Sequence, residues 1–349
     1  MTVDRPSACT APALDAGRRM SRREALALGG TVVVGGSVAL GLRQWTRHER
    51  GLRAEVHIGG CASYAEDVAA VVLEGLRSVG IVSREVRHKR ILLKPNLVET
   101  AEGHAHINTH PAVVVGAAEA FRQLGAASVV VAEAQGHRRD SRLVLDESGM
   151  GEALSRAGLD FVDMNHDDVE DRANAGAWTS MKRLYFSRTL LDADWIVSMP
   201  KLKTHHWAGV TCSMKNLFGV MPGIVYGWPK NVLHYHGIPE SILDINATVQ
   251  PQLAIVDGIV GMEGDGPIMG TPRRAGCIII GRNPTAVDAT AVRVMDLNPY
   301  AIPYLAAASG RLGPIHEWNI MQRGERIESV RTRFALIDAP HLAGIARTP

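Results

Sequence analysis

The stretch MPKLKTHHWAGVTCSMKNLFGVMPG, residues 199–223, holds three lysines, two adjacent histidines and a cysteine directly after an apolar run. Long cations at a strand end attract carboxylate or phosphate groups as point charges. Imidazoles, which titrate near neutrality, both take and give protons. Together they predict a site that binds a small anion, above all a carboxylate, and moves a proton or an electron pair at the carbon beside it. Lys94, Lys201 and Lys203 are the candidate anion-binding cations. Their competing use is a salt bridge to an acid such as Asp257 or Glu133. Asn96, Asn216 and Asp257 complete the candidate binding set. Lys215 sits in an apolar, Gly-rich context where burial would depress its pKa and make it a nucleophile; a paired structural lysine is the alternative. His205 and His137 are the candidate acid or base.

Further groups suggest other chemistry. His234 and His236 are spaced i, i+2, as are His104 and His106. On a strand that spacing puts both rings on one face, a workable divalent-metal arrangement, whereas on a loop it says little. His234 and His236 are therefore the metal candidates, and the cofactor stays open between a divalent metal and none. The segment DGIVGMEGDGP, residues 257–267, lacks the G-K-[ST] element of a phosphate loop. Its Glu263 and Asp265 could bind a cation or orient the lysines, unless the segment is a turn cluster. None of the four cysteines forms a C-x-x-C pair, so no iron–sulfur cluster is expected.

These groups must be positioned by regular elements. Strands are predicted over residues 53–58, 90–93, 127–132, 160–163, 195–199, 253–256 and 276–280. Helices are predicted over 67–79, 111–124, 141–157, 239–249 and 285–295. Residues 183–186 read as an added edge strand after a polar loop. The alternation predicts an α/β fold, a layered, mostly parallel sheet with flanking helices. Ligands of such sheets bind outside the carboxyl ends of the strands. Polar groups follow one strand after another there: Lys94 to Asn96, Glu133 to His137, residues 201–206, Asp257, and Arg282 with Asn283.

Residues 1–50 carry eight Arg against four acids, leaving 30 basic and 32 acidic residues of the chain's 38 and 36. The remainder has no broad basic surface, which excludes nucleic acid as a partner. Arg22-Arg23 before the apolar, Gly-rich stretch 27–42 is a twin-arginine export pattern, and the stretch is short for a membrane span. The expected organisation is a signal and linker over 1–50 and a single α/β domain over 51–349. The expected location is extracytoplasmic, with the twin-arginine machinery as a partner and an uncleaved tether as the alternative.

The motifs LLKPNLVE, THPAVVVGAAEAFRQLGAASVVVAEAQGH, ADWIVSMPKLKTHHWAGVTCSMKNLFGVMPG, LAIVDGIVGMEGDGP and GRNPTAVDATA together resemble the bacterial and archaeal domain-of-unknown-function family numbered 362, over about residues 54–300. Many relatives carry an iron–sulfur segment that this chain lacks. A second, local resemblance is to the nickel-pincer lactate racemases, on HHWAGVTCSMKNLFGVMPG and EAQGHRRD. It implies a catalytic or substrate-side role for His205, cofactor attachment at Lys215, a G-x-H-R role for His137 and Arg138, and metal contact at His234. Ser213-Met214 departs from that family's small glycine pair. The resulting expectation is an enzyme acting on a small carboxylate by acid–base or redox chemistry. The rivals are a metal- or anion-binding protein without catalysis and a scaffold for a redox partner protein. Convergence of His205 and Lys215 in one cleft discriminates between the first two.

Overall fold

Leu92, in the apolar centre of the strand Arg90–Pro95, pairs with Val130 on one side and Ile196 on the other. Strands buried on both faces read as continuous apolar runs, and these three do. A computed structural model of the chain describes residues 53–100, 103–136 and 140–346. The export pattern, His137 and Arg138 lie outside them.

The strands are β1 (Ala54–Gly60), β2 (Arg90–Pro95), β3 (Ser128–Glu133), β4 (Asp160–Asp163), β5 (Val169–Ala173), β6 (Arg183–Ser187), β7 (Trp195–Met199), β8 (Lys201–His205), β9 (Gly209–Thr211), β10 (Leu253–Glu263), β11 (Thr271–Gly281) and β12 (Ile320–Gly324). The main sheet has the order β12-β1-β11-β10-β7-β2-β3-β4, with β8 paired to β10 and to β9. Its β10-β7-β2-β3-β4 half is parallel, and β11 runs antiparallel to both β10 and β1. Helices Val68–Ser78 and Pro111–Gln123 pack into an apolar core that also takes Leu93, Val131 and Ile255. Helices Ile238–Val249 and Pro284–Val294 lie in a second core with Leu92, Ala132 and Val256. The layered, mostly parallel α/β architecture is the expected one.

Four local expectations are corrected. Residues 201–206 are not a loop after a strand, because Lys201–His205 is itself a buried strand on β10. Residues 183–186 do not extend the main sheet: β6 pairs with β5, drawn from the supposed polar loop, in a separate hairpin. The predicted helix 141–157 breaks in two at Gly149, which adopts φ 71°. Arg282 follows the antiparallel β11, so it cannot share an edge with the carboxyl ends of the parallel strands. It instead holds Glu85 through two hydrogen bonds. Among the described residues no helix is long and apolar enough to cross a membrane. Cys61, Cys212 and Cys277 are buried free thiols.

Candidate active site

At the carboxyl ends of β2 and β3 a cavity of about 410 Å³ opens, lined by Lys94, Asn96, Glu133, His205, His206, Lys215, Asn216, Lys230 and His234 among others. His205 and Lys215 therefore converge in one cleft.

The amines differ in what already occupies them. Lys94 Nζ gives all its donors to protein: Glu133 Oε2 at 2.5 Å, Asn216 Oδ1 at 2.9 Å and the Pro95 carbonyl at 2.7 Å. Asn216 returns a hydrogen bond to the Lys94 carbonyl and reaches Ser198 Oγ. Burial favours the neutral form of both ionic partners, lowering Lys94 and pushing Glu133 up to about 7. A Cβ on Gly219 would lie 1.9 Å from Glu133 Oε1 and 2.5 Å from Lys94 Nζ, so only glycine lets this turn close over the pair.

Lys215 has no hydrogen bond among the described residues. Its ammonium stands 4.1 Å from the Phe218 ring centroid. Burial, and then the charge of Lys94, lower it to about 8. Its short helix, Ser213–Asn216, is fixed by Asp288, whose fully buried carboxylate accepts the Ser213 and Met214 N–H groups at 2.7 and 3.0 Å. Asp288, carried on the helix Pro284–Val294, thus anchors a second helix from within the core. Lys230, which sequence reasoning missed, adopts the left-handed conformation with φ 68°. It donates to Asn165 Oδ1 and the Met221 carbonyl, and burial lowers it to about 7. A bulky residue forced to positive φ is a structural signal, and nothing in its sequence context announces it.

Three other predicted binding residues are occupied elsewhere. Lys201 and Asp257, both fully buried, pair at 2.5 Å between β8 and β10. Asp257 also accepts from Tyr64 Oη and the His110 N–H. Lys203 donates to the Ile107 and Pro267 carbonyls, and burial holds it well below the usual lysine range. None of the three lines the cavity. Asn96 does, and its buried Oδ1 has no hydrogen-bond partner among the described residues; the same holds for Thr211 Oγ1.

Hydrogen bonds fix the state of each cavity imidazole. His205 Nδ1 accepts the N–H groups of Trp207 at 3.0 Å and Ala208 at 3.3 Å. Amides only donate there, so its proton sits on Nε2. Burial, then Lys215, hold this ring well below the ordinary imidazole pKa, and it is neutral. His234 Nδ1 lies 3.0 Å from the Lys230 carbonyl, which only accepts, so Nδ1 carries a proton and in the neutral ring Nε2 carries the lone pair. That is the usual orientation of a metal-bound imidazole. His236 does not join it. The pair lies at a helix end, where i, i+2 residues do not face each other, and His236 turns to Ser180. His104 and His106 lie in a turn. Among the described residues no group of three or more His, Cys, Asp or Glu is placed to hold a metal ion. Acid–base chemistry with an anion anchor is what the arrangement can do.

The profile of a family described as Domain of unknown function (DUF362) matches residues 91–293. Over 227 residues the chain is 29% identical to a thylakoid-associated protein of Synechocystis sp., covering 64% of this chain and 68% of that one. Among solved structures, the lactate racemase apoprotein of Thermoanaerobacterium thermosaccharolyticum is 16% identical with a TM-score of 0.40, over 62% of this chain and 52% of that one. A Thermotoga maritima protein is 14% identical with a TM-score of 0.37, over 64% and 58%. The chain thus spans about half the length of the racemase.

Proposed function

This chain belongs to the DUF362 family, and from that premise we propose that it is an enzyme acting by acid–base chemistry on a small molecule bearing a carboxylate. One observation carries the reading: Lys215 presents an ammonium without a hydrogen-bond acceptor to a cavity lined by three imidazoles. A carboxylate on that ammonium would supply the missing partner. Phe218, buried against the ammonium, would shield the pair from water on one side, which strengthens it. The unpartnered Asn96 Oδ1 and Thr211 Oγ1 would receive the polar groups of the same ligand. Lys94, with its donors spent, keeps Glu133 and Asn216 in place. A proton beside the carboxylate would then lie within reach of an imidazole. A binding protein without catalysis has no need of imidazoles with fixed tautomers, which favours the enzyme.

The test begins with a thermal-shift screen of acetate, propionate and their 2-hydroxy and 2-amino forms. Binders are then incubated in D₂O and followed by proton NMR. Deuterium should replace the hydrogen beside the carboxylate with wild-type protein. Lys215→Ala should stay folded and lose both the shift and the exchange. A fully active Lys215→Ala removes this role.

Export is part of the proposal. The Arg22-Arg23 pattern supports twin-arginine transport of the folded protein to the cell envelope. Replacing both arginines with lysine should leave the chain in the cytoplasmic fraction.

A further inference from the structure

The two adjacent histidines of the cavity present opposite faces of the same chemistry. His206 Nδ1 lies 3.2 Å from Asp265 Oδ1. A carboxylate only accepts, so Nδ1 carries a proton, and in the neutral ring Nε2 bears the lone pair. His205 is the reverse, with Nδ1 taken by two backbone N–H groups and Nε2 protonated. Their ring centroids are 4.9 Å apart, and both rings line the cavity.

Resting on the reading above, we infer that His206, positioned by Asp265, is the proton-accepting base of this cavity, and that His205 is a fixed hydrogen-bond donor. His205 cannot accept a proton at Nε2, which already holds one. To be protonated at Nδ1 it would have to break two backbone hydrogen bonds. His206 can: Nε2 takes the proton, and Asp265 stabilises the imidazolium through Nδ1–H. His234 also offers a lone pair, but its Nδ1 partner is a neutral carbonyl, and the rings of Trp207 and Phe218 pack against it. No carboxylate among the described residues compensates a charge there.

The fold builds the dyad deliberately. The His206 N–H donates to the Gly266 carbonyl, and Thr204 Oγ1 donates to the Gly264 carbonyl, so the 264–266 turn lies along β8. A Cβ at Gly266 would stand 2.0 Å from the Thr204 carbonyl oxygen. His341 Nε2 donates to the His206 carbonyl from the C-terminal segment at 2.5 Å. Asp265 is thereby held opposite the ring while staying outside the apolar core.

The experiment is long-range ¹H–¹⁵N correlation on the full chain labelled at histidine, above the ordinary imidazole pKa of about 6.5. Signals are assigned with His205→Gln and His206→Gln. The expected result is a pyridine-type Nε2 at His206 and a pyridine-type Nδ1 at His205. In Asp265→Ala, His206 alone should shift toward the Nε2–H form. Deuterium exchange into the carboxylate found by the screen should fall about a hundredfold or more in His206→Gln, with binding retained. The opposite tautomer at either ring overturns the assignment, and so does full exchange in His206→Gln. If wild-type protein binds no carboxylate or exchanges no deuterium, the reading beneath it fails as well, even with both tautomers as stated.

Discussion

Lys215 is costly to the fold because no carboxylate or hydrogen-bond acceptor among the described residues offsets its charge, which meets only the face of Phe218. Its folded pKa of about 8 lies below the ordinary lysine value of 10.5. Its contribution to stability is therefore complete above about pH 10.5 and is lost as pH falls through about 8. At neutral pH the folded protein carries the whole penalty. Lys215→Met should raise Tm near pH 7 by about 2–6 °C, and calorimetry at rising pH should see that gain shrink toward the ordinary lysine range. A Lys215→Met protein that melts below wild type at every pH would mean that the ammonium is satisfied. Lys215 was legible as unusual because a lysine among Met, Leu, Phe and Gly has few local partners. The different fates of Lys94, Lys201 and Lys203 were not, since each depends on an acid or carbonyl far away in sequence: Glu133, Asp257 and Ile107.

Elements decide which of these groups reach the cavity. The apolar runs within β2, β3 and β7 marked the parallel sheet, because strands buried on both faces leave no other pattern. β8 escaped recognition because Lys201, Lys203 and His205 look like a solvated loop until their buried partners are known. The Asp257 hub that ties β8 to β10 is a structural test case. Lys201→Met leaves a buried carboxylate uncompensated and should cost about 3–5 kcal/mol in urea unfolding. Carboxylate binding in the cavity should survive, since Lys201 does not line it. Gly219→Ala should do the reverse of a mild substitution. Its methyl group would collide with the Lys94–Glu133 pair, destabilising the protein by about 1–3 kcal/mol and weakening ligand binding together. Normal binding in Gly219→Ala would show that the pair does not shape the site. Asp288 and Lys230 carry the same lesson: their roles come from tertiary packing, which local spacing does not encode.

At the scale of the whole molecule, the parallel half of the sheet gathers the ends of β2 and β3 with β8 and with the helix bearing Lys215 around one cavity. Sequence order predicted the edge on which polar groups collect. It could not separate the groups that close on one another from those left open to a ligand. Among the amines, Lys94 holds its neighbours and Lys215 has no acceptor among the described residues, and on this division rests the proposal that the cavity is an anion site. The most direct test is the affinity of the strongest-binding carboxylate, measured by calorimetry between about pH 6 and pH 10 for wild type and Lys215→Gln. The ammonium must be charged to hold the anion. Wild-type affinity should be level below about pH 8 and fall by up to about tenfold per pH unit above it. Lys215→Gln should bind about thirtyfold more weakly or worse, without that pH dependence. Equal affinities in the two proteins, or a wild-type affinity indifferent to pH, would contradict the account.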